Sequence, residues 1–258
     1  MQRGDIAVFS ISTALAAVVV AAVAFSELVL DRTPSSAVIA SGDSDSSWLV
    51  VTWGPSLCKI DPSNLGCTSG HVGKMGQTFV LHGLWPQPFE NQFCGVPKEV
   101  ADRARKLRGS DMPSVELSED VRERLQSKLS DAGVMAPHEW YTHGTCSGVT
   151  PDVYFSDAAT LTDQARKILD PMFQQAKGSP VSIKTVRDEF NAEFGEGAGD
   201  RLGLSCRNVT GEGSVAYEVH LSLPPVEHLS GTGSALSLGD LLLKAPTISA
   251  GCRHGYVP

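Results

Sequence analysis

The chain of 258 residues has no excess of basic side chains. Its 21 lysines and arginines are outnumbered by 29 aspartates and glutamates, giving a formal net charge of -8. That excludes a protein that grips a polyanion through a broad basic surface. It leaves room for an enzyme with a small polar pocket, one that works best where carboxylates begin to be protonated, at mildly acid pH. No Cys-x-x-Cys pair occurs among the six cysteines, which argues against zinc-ribbon and thioredoxin-like sites. There is no internal repeat, nothing marks a second folded domain, and no heptad is sustained, which favours a monomer.

Charge is missing altogether from Ile6 to Ser26, inside an almost wholly apolar run that ends at Leu30. Arg3 gives this run a weak positive flank, partly offset by Asp5, and Ala22-Val23-Ala24 has the small-x-small pattern of a cleavage site. The run is also about as long as a membrane span. Residues 1–30 are therefore expected to be a cleaved signal peptide or an uncleaved N-terminal anchor. Either exports the remainder, making the protein secreted, periplasmic or held at a membrane. The Ser-rich tract 31–47 is expected to be a flexible stem, and 48–258 the folded domain. Cysteine usage agrees with export. Cys58, Cys67, Cys94, Cys146, Cys206 and Cys252 all lie beyond the leader, an even set that suits three disulfides, with fifteen pairings open.

Within the folded part, Trp48–Trp53 predicts a first strand ended by Gly54-Pro55, and Gln77–Leu81 a second that stops at His82. Helical spacing follows over Pro97–Arg108, then from Ser118 to Asp131-Ala132-Gly133, then over Pro137–Cys146 with proline in its first turn. Asp152–Asp170 is helical in part, and Ser182 caps a helix to Phe194. Leu202–Cys206 and Val215–Leu223 predict strands, and Leu238–Leu243 a strand or short helix. The sum is one α+β domain, strands at both ends and helices between.

The chemistry is concentrated in two segments, Phe79–Gln87 (FVLHGLWPQ) and His138–Gly148 (HEWYTHGTCSG). Glu139 and His143 are four apart and share a helix face. His138, five before His143, lies roughly 140° around. His82 must reach them from the other segment, and a Cys94–Cys146 bridge would draw the two together. Two imidazoles can supply both base and acid near neutrality. Such a pair cleaves RNA without a metal, because RNA carries its own nucleophile in the 2'-hydroxyl. Trp85 is placed to stack on a base. Taken singly, each residue has a plainer reading: a surface histidine, core tryptophans at Trp85 and Trp140, a solvated Glu139. Zinc ligation by His82, His138, Glu139 and His143 is the chemical rival, but His-Glu-x-x-x-His has one residue too many for the metalloprotease helix.

These segments resemble the two signature motifs of the ribonuclease T2 family, exported acid endoribonucleases, and Trp48–Cys58 is similar to that family's first strand. The resemblance spans roughly Trp48 to Cys252. It implies a central antiparallel sheet packed with several helices and bridges Cys58–Cys67, Cys94–Cys146 and Cys206–Cys252. It implies an RNA substrate, no metal or other cofactor, and little base preference. His143 would take the 2'-proton and His82 would protonate the leaving oxygen. His138 and Glu139 would hold the phosphate, and Trp85 would line the base site. Products would be 2',3'-cyclic phosphates, then 3'-phosphates.

The chain departs from the pattern at Thr142, where many members carry lysine; the lost cation should weaken stabilisation of the transition state. Lys74 or a residue distant in sequence could compensate. A catalytically weak or inactive binding or toxic protein is the functional alternative, although all four proposed site residues are present. Asn208-Val209-Thr210 is a sugar acceptor only in a glycosylating host.

Overall fold

A computed structural model of the chain describes residues 44–106, 112–230 and 236–258. The leader over 1–30 and most of the stem lie outside the described residues. In chain order the elements are β1 (Ser46–Trp53), α1 (Gly54–Ile60), α2 (Leu65–Thr68), α3 (His71–Met75), β2 (Phe79–Gln87), α4 (Lys98–Arg105), α5 (Glu119–Gln126), α6 (Ala132–Thr142), α7 (Pro151–Gln175), β3 (Pro180–Ser182), α8 (Ile183–Phe194), β4 (Leu202–Val209), β5 (Gly213–Leu223), α9 (Leu238–Lys244) and β6 (His254–Tyr256). Among the described residues no helix is long and apolar enough to cross a membrane.

The architecture is α+β around one sheet, in the order β2-β1-β5-β6-β3, with β4 also paired to β5. The sheet is mixed rather than antiparallel throughout: β5 and β6 pair in parallel through Val215 and Tyr256. The first strand begins at Ser46, inside the tract expected to be stem, because Ser47 is fully buried and pairs with both Pro86 and Leu223.

Strand alternation assigns the two faces of the sheet. Leu49, Val51 and Trp53 of β1 point into the main core with Val219, Leu221 and Leu223 of β5. Helix α7 covers that face with Tyr154, Phe155, Leu161, Leu169 and Phe173, none more than 1% exposed. Trp53, Phe79 and Phe173 pack ring on ring, with centroids 4.6–5.3 Å apart. Full burial of each such side chain contributes roughly 1.5–3 kcal/mol. Helix α7 begins where Thr150 accepts from the Val153 amide and Pro151 occupies the first turn. Its Tyr154 hydroxyl donates to the Leu84 carbonyl at 2.7 Å and accepts from the Leu84 amide at 3.3 Å, satisfying backbone of the edge strand β2.

Three disulfides brace the fold, Cys58–Cys67, Cys94–Cys146 and Cys206–Cys252. The second closes 52 residues and, with the Phe93 amide donating to the Thr142 carbonyl at 2.9 Å, ties the loop after β2 to the end of α6.

Three expectations from the sequence are corrected here. The Asp131-Ala132-Gly133 stretch opens a helix rather than ending one, since the Asp131 carboxylate accepts from the Val134 amide at 3.1 Å. Helix α6 thus starts five residues before Pro137, which sits buried inside it, and stops at Thr142 instead of running to Cys146. His143 to Cys146 is the cap and a short 3-10 turn. The second strand does not stop before His82 but carries it in its interior.

Candidate active site

His82 is placed by a β-bulge. Val50 of β1 pairs with Gly83 and Val51 pairs with Leu81, so His82 is the extra residue, with no partner across β1. The bulge changes which residues share a face. Phe79 and Leu81 point into the core before it, and Leu84 does so after it. His82 and Trp85, three apart, therefore come to the same side, with ring centroids 5.0 Å apart and 75° between planes. An unbroken strand would have put them on opposite faces.

Helix α6 supplies the opposing wall. Glu139 is 1% exposed, not solvated, and Oε2 accepts from the Trp85 indole N–H at 2.9 Å. Its other oxygen, Oε1, has no hydrogen-bond partner and lies between two imidazoles, 3.9 Å from His82 Nε2 and 3.8 Å from His138 Nε2. His143, just past the helix, is held through its amide, which donates to the Glu139 carbonyl at 2.9 Å. Its ring stacks on Trp85 at 5.1 Å and 24°. One indole thus contacts both His82 and His143, and Glu139 faces both His82 and His138, so the four proposed catalytic residues, from segments about 50 residues apart, form one connected cluster.

The motif glycines have a steric reason. A Cβ on Gly83 would fall 2.0 Å from Glu139 Oε2 and 2.3 Å from Trp85 Nε1, and one on Gly144 would fall 2.3 Å from the Trp140 ring. Only hydrogen at position 83 leaves room for the Trp85–Glu139 hydrogen bond. Trp140 itself is a core residue.

Two participants were not found from the sequence, Glu218 and His220. Both stand on β5, two residues apart and so on one face. Glu218 Oε1 accepts from His82 Nδ1 at 2.7 Å and from the Thr52 hydroxyl at 3.4 Å, while Oε2 lies 3.3 Å from His220 Nε2. The signal was an acid and a histidine at alternate positions within an otherwise apolar run. The β5 alternation is itself reset by a second bulge, where Ser205 pairs with Glu218 and Cys206 with Ala216, leaving Tyr217 over.

The environment separates the two main imidazoles. Burial pulls His143 down to about 4; the nearby Glu139 carboxylate opposes this, while His138 and His82 add to it. Burial also lowers His82, but the Glu218 hydrogen bond and the charges of Glu139 and Glu218 outweigh it, leaving His82 above the ordinary histidine range. Glu218 is itself held down to about 2: burial raises it, and its bonds to His220 and His82 overcome that.

Trp85, expected beside a base, commits one stacking contact to His143. The aromatic next to it, Phe89, is 56% exposed and 6.3 Å from Trp85. A cleft of about 170 Å³ adjoins His82 and His138, lined also by Thr52, Met135 and Tyr217. Larger grooves elsewhere, such as the one between α7 and α8, contain none of these side chains. Thr142 is buried with its hydroxyl unpartnered. The charge of Arg207 of β4, set over the Tyr217 ring at 5.6 Å, reaches His82. Among the described residues no three His, Cys, Asp or Glu side chains converge to hold a metal ion.

The chain has relatives. The chain is 26% identical over 188 residues to intracellular ribonuclease LX of Solanum lycopersicum, covering 71% of this chain and 74% of that protein. It is 24% identical over 216 residues to ribonuclease I of Escherichia coli, covering 70% and 76%. Its fold matches that of an RNase MC1 mutant solved in complex with 5'-UMP, at a TM-score of 0.51 and 22% identity, covering 71% of this chain and 90% of that one. The Ribonuclease T2 family profile matches residues 44–232, and with both signature segments inside that span the chain belongs to the ribonuclease T2 family.

Proposed function

We propose that this protein is an exported, metal-independent endoribonuclease that cleaves single-stranded RNA through the 2'-hydroxyl. The observation that carries this reading is the pair of imidazoles, His82 and His143, gathered on one indole with their proton affinities pushed apart. Neutral His143 takes the 2'-proton as the 2'-oxygen attacks phosphorus. Protonated His82 gives its Nε2 proton to the 5'-oxygen as the P–O5' bond breaks. The products are a 2',3'-cyclic phosphate and a free 5'-hydroxyl end. Water then opens the cyclic ester to a 3'-phosphate with the two roles exchanged.

His138 and Glu139 act on the phosphate between these groups. The unpartnered Glu139 oxygen holds the two imidazoles it faces, and the His138 ring donates to a phosphoryl oxygen as charge builds. Trp85 orients Glu139 and His143 and closes one side of the base site, and exposed Phe89 offers an adjacent stacking face that any base can use. Such contacts read no base edges, which supports weak base preference. No cofactor takes part and a monomer suffices, since all these groups come from one chain.

The test is to incubate the exported domain with RNA in excess EDTA at pH 5 and 7 and to identify the new termini. Cyclic phosphates that convert to 3'-phosphates support the reading. Loss of cleavage in EDTA, or 5'-phosphate termini, defeats it. An RNA-binding chain that leaves its ligand intact would point to the inactive alternative.

A further inference from the structure

We propose that Glu218 is the positioning residue that makes His82, rather than His143, the proton donor of the reaction. The proposal rests on the ribonuclease reading and adds to it the reason why two imidazoles in one site take different roles. The Glu218 carboxylate is buried, its side chain 5% exposed, and its Oε1 stands 2.7 Å from His82 Nδ1. A carboxylate only accepts, so Nδ1 carries the hydrogen. That leaves Nε2, which faces Glu139 Oε1 at 3.9 Å, as the nitrogen that gains and loses the catalytic proton. His143 has no counterpart: its Nδ1 is buried without a partner.

Glu218 is rigidly placed for this task. It stands on β5, between β1 and β4, and pairs directly across from Thr52 of the one and Ser205 of the other, whereas His82 is on a bulge and depends on neighbours for its aim. Thr52 and His220 occupy the carboxylate from two further directions, so it cannot turn away without losing both. A carboxylate behind an imidazole fixes its tautomer and stabilises the imidazolium. The other charged or titratable groups near His82 are Glu139 and His138 of α6, His143 after α6, His220 and Tyr217 of β5, Arg207 of β4, and Asp61 after α1, which lines the same cleft. On transfer, His82 loses the Nε2 proton to the departing 5'-oxygen and keeps the Nδ1 hydrogen on Glu218, so the ring returns to neutral in one defined tautomer.

The experiment uses two readouts. In the wild-type domain without RNA, nitrogen chemical shifts of neutral His82 are expected to show the Nδ1–H tautomer; an Nε2–H tautomer overturns the proposal. In Glu218→Gln, which keeps the shape and removes the charge, the His82 titration midpoint is expected to fall by about one pH unit or more. The alkaline limb of kcat/KM should move down with it, and kcat at pH 7 should drop about 10–100-fold with KM within about threefold. An alkaline limb that stays in place overturns the proposal, whether or not the rate falls, because a purely structural role lowers rate without moving it. If Glu218→Gln does not fold, the wild-type tautomer decides. A wild-type domain inactive on RNA at every pH defeats the ribonuclease reading instead, and the wild-type arm tells the two failures apart.

Discussion

At the scale of the residue, the site is controlled by what a side chain lacks as much as by what it offers. Gly83 contributes no atoms to chemistry, yet a methyl group there would overlap both the Glu139 carboxylate and the Trp85 nitrogen. Gly83→Ala is expected to lower kcat about 100-fold, the usual result of displacing a catalytic group by about 1 Å, while circular dichroism stays unchanged. Wild-type turnover in that variant would contradict the account. Trp85→Phe removes the N–H that Glu139 Oε2 accepts and strands a buried charged oxygen. It should cost about 1–3 kcal/mol in denaturant unfolding, along with activity. The pH dependence follows from the two histidines. His143 must be neutral, which sets the acid limb of kcat/KM near pH 4. His82 must be protonated, which sets the alkaline limb above 6.5. A bell with its top between these limits is expected for a dinucleotide substrate, and an alkaline limb that falls below pH 6.5 would not fit. Of the site, the two motifs and the four side chains proposed for acid–base work were legible in the sequence as residues that could share one site, because residue type and spacing carry them. Glu218 was not, since a single acid in an apolar strand declares its role only when a bulged histidine from another strand is set against it.

At the scale of the element, the sequence spoke most clearly where one local rule decided the outcome. Ser182 caps α8 by accepting from the Thr185 amide at 3.0 Å, and the strand–turn signal at Gly54-Pro55 ends β1 as read. It spoke least clearly where two rules competed. Asp131-Ala132-Gly133 has the composition of a stop, but the same aspartate is a good N-cap, and the cap prevails because the following apolar residues pack inward. The bulge at His82 has no sequence mark at all: it arises from pairing with β1, a tertiary fact. Ser118 stands at the N-cap position of α5, but its hydroxyl donates to Asp152 at 3.1 Å rather than accepting from the helix, joining the start of α5 to that of α7. The bridge between Cys94 and Cys146 is the element-level link between the two motifs. Replacing both cysteines with serine should cost about 2–4 kcal/mol, read as a lower midpoint in denaturant. Turnover should fall in step, because the end of α6 is no longer tied to the loop after β2. Full activity in a domain destabilised by that amount would show that the motifs hold together without it.

At the scale of the whole molecule, net charge and site charge pull in different directions. A chain at -8 gains no long-range attraction for RNA, and Arg207 is the exposed cation whose charge reaches His82. If about one phosphate is neutralised on binding, raising salt from about 50 to 200 mM should change kcat/KM by less than about threefold. A tenfold or larger loss would mean an extensive basic track. Acid stability is a balance among the same groups. Glu218, held at about 2 against an ordinary 4.5, stabilises the fold fully above the ordinary value and loses that contribution as pH falls toward 2. His143, depressed to about 4, favours the unfolded chain progressively as pH falls from 6.5 to 4. His82, raised, contributes stability below 6.5 that is lost as pH climbs through its folded value. The division of the fold into one sheet with helices was readable from the order of patterns. The mixed character of the sheet was not, because β6 is three residues long and follows no hydrophobic run.

The assignment of acid to His82 and base to His143 is tested most directly with the leaving group. Single-turnover rates would be compared for wild type, His82→Ala and His143→Ala on a dinucleotide and on a uridine 3'-(4-nitrophenyl phosphate), whose leaving group departs without a proton. On the dinucleotide both variants should lose about 100- to 10,000-fold. On the activated ester His82→Ala should recover to within about tenfold of wild type, while His143→Ala stays as slow as before. Recovery of His143→Ala in place of His82→Ala would contradict the account.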